Sequence, residues 1–143
     1  MGYLCRVAAR FIALKRGFPI EMYKLSVKAE FSAAHNLRNY KGKCEELHGH
    51  NWKVEAVFEA DETDKNGIVL DFHKIKDMLK ETLEELDHKY LNQISYFKKN
   101  NPTSENIARY LFDKLNGQLK KGLACLSEVT VWESDNCSAT YYR

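Results

Sequence analysis

Two stretches of alternating polar and apolar residues predict the first two strands. In residues 22–34 and again in residues 50–60, apolar side chains recur at every second position. Successive side chains of a strand point to opposite faces, so each stretch predicts a strand with one buried and one wet face. The intervening residues 36–47 hold one glycine and five charged residues, which favours a loop and an antiparallel pair.

Two later stretches have apolar residues at three-and-four spacing, the period of a helix with one buried face. The first is capped by Asp71 and is expected to run to about Leu86. The second begins after Pro102 and is expected to end at Gly117 or Gly122. Both helices should therefore present one apolar side to the same core.

Two final strands, at about 126–133 and 137–142, complete the order strand, strand, helix, helix, strand, strand. Sequential hairpins predict an α+β domain with a four-stranded antiparallel sheet and both helices packed on one face. Such a sheet has two exposed edges, so assembly through sheet edges is expected. The domain is assigned to residues 22–143, and residues 1–21 are interpreted as a poorly ordered extension.

Composition and charge narrow the classes of function. The 143 residues are 44% hydrophobic and 29% charged, which is typical of one globular domain. Residues 22–143 hold 18 basic and 19 acidic side chains, a balance that argues against nucleic-acid binding. No apolar run approaches the roughly 20 residues that span a bilayer, and basic residues interrupt the apolar start of the chain. We expect a cytoplasmic protein that binds neither nucleic acid nor membrane.

Three histidines near the ends of the first two strands predict a metal site. His48 and His50 stand two residues apart, so they project to one face at the mouth of a strand. His35 ends the preceding strand and should lie on the neighbouring ladder. Three imidazoles leave a fourth tetrahedral position open, as in catalytic zinc sites. If Cys44 were a fourth ligand, the site would instead be closed and structural.

Two further groups carry candidate chemistry. Asp87 and His88 follow the first helix, and a carboxylate beside an imidazole can fix its tautomer and raise its basicity. Glu133 stands at the end of an otherwise apolar strand. Taken alone, Asp87 and His88 are also explained as a capping histidine beside a solvated aspartate, and Glu133 is better explained as an exposed strand-end charge.

Five segments in order resemble the family of 6-pyruvoyltetrahydropterin and 6-carboxytetrahydropterin synthases. They are FSAAH at 31–35, CEELHGHNW at 44–52, LDHKYLN at 86–92, PTSENIA at 102–108 and VWESDN at 131–136. The resemblance implies a tunnelling fold whose sheets close into a β-barrel. It also implies a homohexamer of two stacked trimers with active sites between subunits.

The resemblance further implies a zinc-dependent lyase that acts on a pterin triphosphate. Zinc (Zn2+) is implied on His35, His48 and His50, with side-chain hydroxyls of the substrate completing its coordination. Lys41 and Lys43, in the loop before the histidine pair, are candidates for contacting the triphosphate.

Other residues take implied roles in catalysis and binding. Cys44 resembles the family's proton acceptor, and the Asp87–His88 pair resembles its partner relay. Glu133 resembles the anchor that accepts two N–H bonds from the pterin. The stretch that supports the pterin pocket contains Thr103, Ser104 and Glu105.

The spacing before the histidine pair bears on the product. Three residues separate Cys44 from His48, which resembles the 6-carboxy-5,6,7,8-tetrahydropterin synthases of queuosine (7-deazaguanine) biosynthesis. Five would resemble the mammalian pyruvoyl type. Glu45 stands three residues before His48, as in a variant that forms 6-hydroxymethyl-7,8-dihydropterin for folate, so it is a candidate substrate-binding residue. The alternatives are a bifunctional enzyme and a non-catalytic binding module stabilised by zinc.

Overall fold

The computed structural model describes residues 21–120 and 122–143. The strands are β1 (Tyr23–His35), β2 (His48–Ala60), β3 (Lys89–Tyr90), β4 (Cys125–Ser134) and β5 (Cys137–Tyr142). The helices are α1 (Phe72–Glu84), α2 (Ser95–Lys99) and α3 (Ser104–Gln118). Apart from Glu21, the predicted extension lies outside the described residues.

One sheet in the order β3-β1-β2-β4-β5 forms the body of the domain. The first hairpin is antiparallel as predicted, with Phe31 opposite Trp52 and His35 opposite His48. Phe31 and Trp52 stack with ring centroids 6.0 Å apart, and both are buried. Strand β2 begins at His48, two residues before the predicted start, so the histidine pair belongs to the strand itself.

The two long helices pack on one face of the sheet, and the α+β class is therefore confirmed. Asp71 caps α1 by accepting a hydrogen bond from the backbone N–H of His73, and Thr103 caps α3 in the same way from Asn106. Leu79 of α1 and Leu111 of α3 are 1% and 0% exposed, in one core with the apolar face of the sheet. None of the described helices combines the length and apolar character needed to cross a membrane.

The predicted count of four strands and two helices is wrong. A fifth strand, β3, pairs in parallel with β1 at Ala33 and Ala34, and the short helix α2 precedes α3. Strand β3 is two residues long, so no alternation in the sequence could indicate it. It is fixed by tertiary contacts instead: the backbone N–H of His88 donates to the Ser32 carbonyl at 2.6 Å.

Candidate metal centre and active-site cavity

The sheet register brings the three predicted histidines together. His35 is the last residue of β1, and His48 and His50 occupy the first and third positions of β2. In the antiparallel register His35 lies opposite His48, and Ala33 lies opposite His50. The alternation that buries Phe31 and Ala33 therefore turns all three imidazoles to the helix-covered face.

A fourth donor joins the three imidazoles. His35, His48, His50 and Glu133 each offer one ligand atom, and these atoms all lie within 4.8 Å of one another. The Cys44 thiol is not one of them. The arrangement provides three nitrogens and one carboxylate oxygen, a donor set that suits zinc.

Backbone carbonyls fix the tautomers of two rings. Nδ1 of His35 lies 2.7 Å from the Pro102 carbonyl, and Nδ1 of His48 lies 2.7 Å from the Glu46 carbonyl. A carbonyl oxygen only accepts, so both Nδ1 atoms donate, and in the neutral rings both Nε2 atoms carry lone pairs. These Nε2 atoms face each other at 3.0 Å.

Two facing lone pairs repel unless a cation lies between them. Two nitrogens bound to one tetrahedral zinc at about 2.0–2.1 Å are about 3.3 Å apart, close to the observed separation. Carbonyl partners on the outer nitrogen are also the usual way in which proteins orient metal-binding imidazoles.

Burial keeps the site receptive to a metal. Burial, the largest cause, lowers the pKa of His35 and of His50 and so favours the neutral form of each ring, which is the form that binds a metal. Nε2 of His50 is buried and makes no hydrogen bond, although Oε1 of Glu133 lies 3.2 Å away. An orphaned buried nitrogen is costly, and a metal ion would satisfy it. The described residues therefore fit a zinc ion.

Glu133 connects the histidines to the start of α3. Its Oε1 approaches His50, while its Oε2 accepts a hydrogen bond from Oγ of Ser104 at 3.1 Å. Ser104 is the first residue of α3, where unpaired backbone N–H groups favour a nearby carboxylate. The position of Glu133 is compatible with either of two roles, a fourth metal ligand or the pterin anchor that the family resemblance implies.

A cavity of about 310 Å³ opens beside the metal centre. This volume is at the lower end of the range for small-molecule sites, roughly 300–1,000 Å³. Six of the residues predicted from the family resemblance border it: His35, Cys44, Thr103, Ser104, Glu105 and Glu133. Glu45 is exposed and is not among the residues that border it.

The Asp87–His88 pair lies elsewhere. Nδ1 of His88 is 2.9 Å from a carboxylate oxygen of Asp87, whose other oxygen accepts from the Ser32 backbone N–H at 2.8 Å. The Ser32 bond, followed by His88, lowers the pKa of the Asp87 carboxyl. The His88 side chain is 81% exposed and borders a different cavity, which is also bordered by His50 of the histidine centre and by Asn51. One chain thus does not bring this pair into the cavity that contains Cys44.

Several contributors to the site were not predicted. The carbonyls of Glu46 and Pro102 carry no side-chain signal, because what matters is their backbone position. Tyr40 and Cys137 also border the 310 Å³ cavity, although neither is placed there by a recognisable spacing.

Fold and site together define a small α+β domain with a candidate histidine metal centre beside a cavity of ligand-binding size. A family model described as 6-pyruvoyl tetrahydropterin synthase matches residues 24–143. The chain belongs to this family, as its five motifs indicated.

Relatives in the family carry more than one activity in their names. A 6-carboxy-5,6,7,8-tetrahydropterin synthase from Rickettsia felis is 34% identical over 81% of this chain and 97% of its own length. A dihydroneopterin monophosphate aldolase from Pyrococcus furiosus is 36% identical over 78% of this chain and 90% of its own. The structure of Caenorhabditis elegans 6-pyruvoyl tetrahydropterin synthase aligns with a TM-score of 0.78 and 29% identity, over 88% of this chain and 99% of that one.

Proposed function

We propose that this protein is a zinc-dependent 6-carboxy-5,6,7,8-tetrahydropterin synthase. It would convert 7,8-dihydroneopterin triphosphate and water to 6-carboxytetrahydropterin, acetaldehyde and triphosphate, as a step of queuosine biosynthesis. The proposal rests on the relative from Rickettsia felis and on the residues that meet in the 310 Å³ cavity.

The position of Cys44 relative to Glu45 is the observation that carries the proposal. Both residues lie in the short 3₁₀ turn Lys43–Glu45, but they face different surroundings. Cys44 is partly buried and borders the cavity together with His35 and Glu133, whereas Glu45 is exposed. A group that takes a proton from the substrate must reach it, which favours Cys44.

Glu133 is suited to hold the pterin edge. Its carboxylate oxygens each have more than one acceptor site, and Ser104 uses part of one of them. In our proposal the carboxylate accepts two N–H bonds from the 2-amino-pyrimidinone edge. Thr103 and Glu105, beside Ser104 at the start of α3, complete this wall of the cavity.

The three imidazoles would hold the zinc ion with their Nε2 atoms directed inward. A bound zinc ion supplies Lewis acidity, which polarises the substrate's side-chain oxygens and acidifies the adjacent C–H. Cys44 would accept the proton released there, and the lysines of its loop, Lys41 and Lys43, would meet the triphosphate.

The Asp87–His88 pair would come from a neighbouring subunit. It is exposed and lies outside the cavity of Cys44 within one chain, as expected if a second copy completes the site. We propose a homohexamer of two stacked trimers, in which the sheets join edge to edge into a barrel. The edges formed by β5 and by the unpaired part of β1 are the surfaces for this contact.

A folate-type reaction is the second candidate. The Pyrococcus furiosus aldolase is as similar to this chain as the carboxy synthases are, and Glu45 stands beside Cys44. A 6-hydroxymethyl-7,8-dihydropterin product, alone or with the carboxy product, would require Glu45 to turn toward the cavity. A 6-pyruvoyl product is a further alternative.

Product analysis of matched variants tests the assignment. Zinc-loaded wild type should release acetaldehyde from 7,8-dihydroneopterin triphosphate, and Cys44→Ala should lower the rate by about 10²–10⁴-fold with zinc retained. Glu45→Ala, the neighbouring control, should change the rate by less than about threefold. If the wild type instead forms 6-hydroxymethyl-7,8-dihydropterin and Glu45→Ala abolishes that product, the folate-type reaction is favoured. No turnover at all would leave the zinc-stabilised module.

A further inference from the structure

Tyr40 is an exposed aromatic side chain at the mouth of the cavity. It is 50% exposed and borders the same cavity as Cys44 and Glu133. Ligand-binding cavities are typically lined by hydrophobic and aromatic side chains. Among the described residues around this cavity, Tyr40 and the metal-facing His35 are the ones with rings.

The backbone around Tyr40 is anchored. Arg38 exchanges two 3.0 Å hydrogen bonds with the side chain of Asn101, and its guanidinium donates to the Phe97 carbonyl at 2.7 Å. At the base of the loop the Leu37 N–H donates to the Cys44 carbonyl at 2.8 Å. The loop that carries Tyr40 is therefore anchored through its backbone on both sides, whereas the ring itself faces solvent.

Gly42 sets where the Tyr40 ring can lie. A Cβ atom at Gly42 would be 2.8 Å from Cε1 of Tyr40, closer than nonbonded carbons approach. Gly42 has φ 169° and ψ 179°, an extended conformation that any residue adopts. The effect of a side chain at this position would therefore act through the Tyr40 ring, which can move because it is exposed.

We propose that Tyr40 stacks against the flat face of the pterin ring, with Gly42 as the positioning residue that leaves room for it. This inference rests on the proposed function. Leu37 is the other large apolar side chain at this cavity, and the remaining groups are mainly polar or small, such as Ser104 and Glu133, which can bind the edge of a bicyclic ring. Among the described residues at this cavity, Tyr40 is the one that offers an aromatic face not turned to the metal centre. Stacking would select planar bicyclic heteroaromatic substrates and hold the ring edge against Glu133.

The test measures binding of neopterin by titration calorimetry, together with KM and kcat for 7,8-dihydroneopterin triphosphate, on the full-length zinc-loaded protein. Tyr40→Ala should weaken neopterin binding and raise KM by roughly 5- to 100-fold, the range found when a base loses an aromatic stacking partner. The value of kcat should stay within about threefold, because stacking binds ground state and transition state alike. Tyr40→Phe should bind neopterin within about twofold of wild type, since it keeps the ring.

Gly42→Ala provides an independent arm. It should weaken neopterin binding in the wild-type background and have no effect in the Tyr40→Ala background, because its target is then gone. Unchanged neopterin affinity in Tyr40→Ala overturns the proposal. The proposal is also overturned if Gly42→Ala still weakens neopterin binding in the Tyr40→Ala background. It is overturned as well if the variants lose subunit assembly while their neopterin affinity is unchanged. A wild type that neither binds neopterin nor turns over the substrate overturns the proposed function itself, which is a distinguishable result.

Discussion

His35 and His88 are held in opposite ways, although both belong to motifs that carry chemistry. His35 is 2% exposed at the end of a strand in the sheet, and its outer nitrogen donates to the Pro102 carbonyl. The side chain of His88 is 81% exposed and rests on Asp87. Its backbone is left-handed, with φ 54°, which is uncommon for a residue with a Cβ atom.

The histidine centre is assembled within one chain, whereas the Asp87–His88 pair lies exposed on its surface. The candidate histidine centre has its four donor atoms and the carbonyl partners of two of its rings within a single copy. The Asp87–His88 pair is orientated by Ser32 but is exposed to solvent. A strained and exposed catalytic-type pair is understandable if its substrate pocket is formed by another copy.

The largest effect is expected from a substitution in the histidine centre. His48→Ala removes one of three imidazoles, so zinc content should fall from about one ion per chain toward zero. Activity should fall by roughly 10³-fold or more, since the metal contributes several kcal/mol to the transition state. Metal analysis and a rate assay measure both. His73→Ala, an exposed histidine of α1, is the matched control and should change neither. A His48→Ala protein that keeps its zinc would refute the assigned centre.

A smaller effect tests whether the Asp87–His88 pair acts together with Cys44 of a neighbouring subunit. Cys44→Ala and His88→Ala should each lose about 10²–10⁴-fold in rate while zinc stays bound. If the two residues act from different chains, co-refolding the two inactive proteins in equal amounts should restore about one quarter of the sites. The rate of the mixture measures this restoration.

The control for this mixture replaces Cys44→Ala with the double variant Cys44→Ala/His88→Ala, which should restore nothing. If the mixture of single variants is as inactive as its components, both residues belong to a site within one chain. Oligomeric state should be the same in all three proteins.

Much of the fold could be predicted because its signals are local. The alternation in β1 and β2, the cap at Asp71 and the start of a helix soon after Pro102 are properties of short segments, and the structure confirms them. Strand β3 could not be predicted, because two residues have no period. Its pairing depends on the left-handed turn at His88 and on contacts with β1 that are more than fifty residues away in the chain.

The site could be predicted as a set of side chains but not as a geometry. Spacing placed His48 and His50 on one face of a strand, and the family motifs supplied Cys44 and Glu133. The carbonyls that fix the imidazole tautomers have no sequence signature, because every residue has a carbonyl. Tyr40 was missed for a related reason: its place at the cavity depends on how a loop is anchored, which the residues of the loop do not determine alone.

The smallest expected effect is the pH dependence of the stability that Asp87 contributes to the Asp87–His88 pair. The pKa of Asp87 lies below its usual 3.8 in the folded protein, so folding favours the carboxylate. Its contribution to stability is fully present well above pH 3.8 and is lost as pH falls through the lowered pKa. Asp87→Asn keeps an acceptor for the Ser32 N–H but has no charge, so it should melt slightly below wild type at pH 7, on the order of 1 °C. The gap should narrow as the pH falls below about 5 and through the lowered pKa, in thermal melts of both proteins. Metal loss at low pH affects both alike and cancels in the difference.

Asp77→Asn, at an exposed aspartate of α1, should follow wild type throughout. A gap that widens on acidification would mean that Asp87 is not held as a carboxylate, and the pair could then not orient His88.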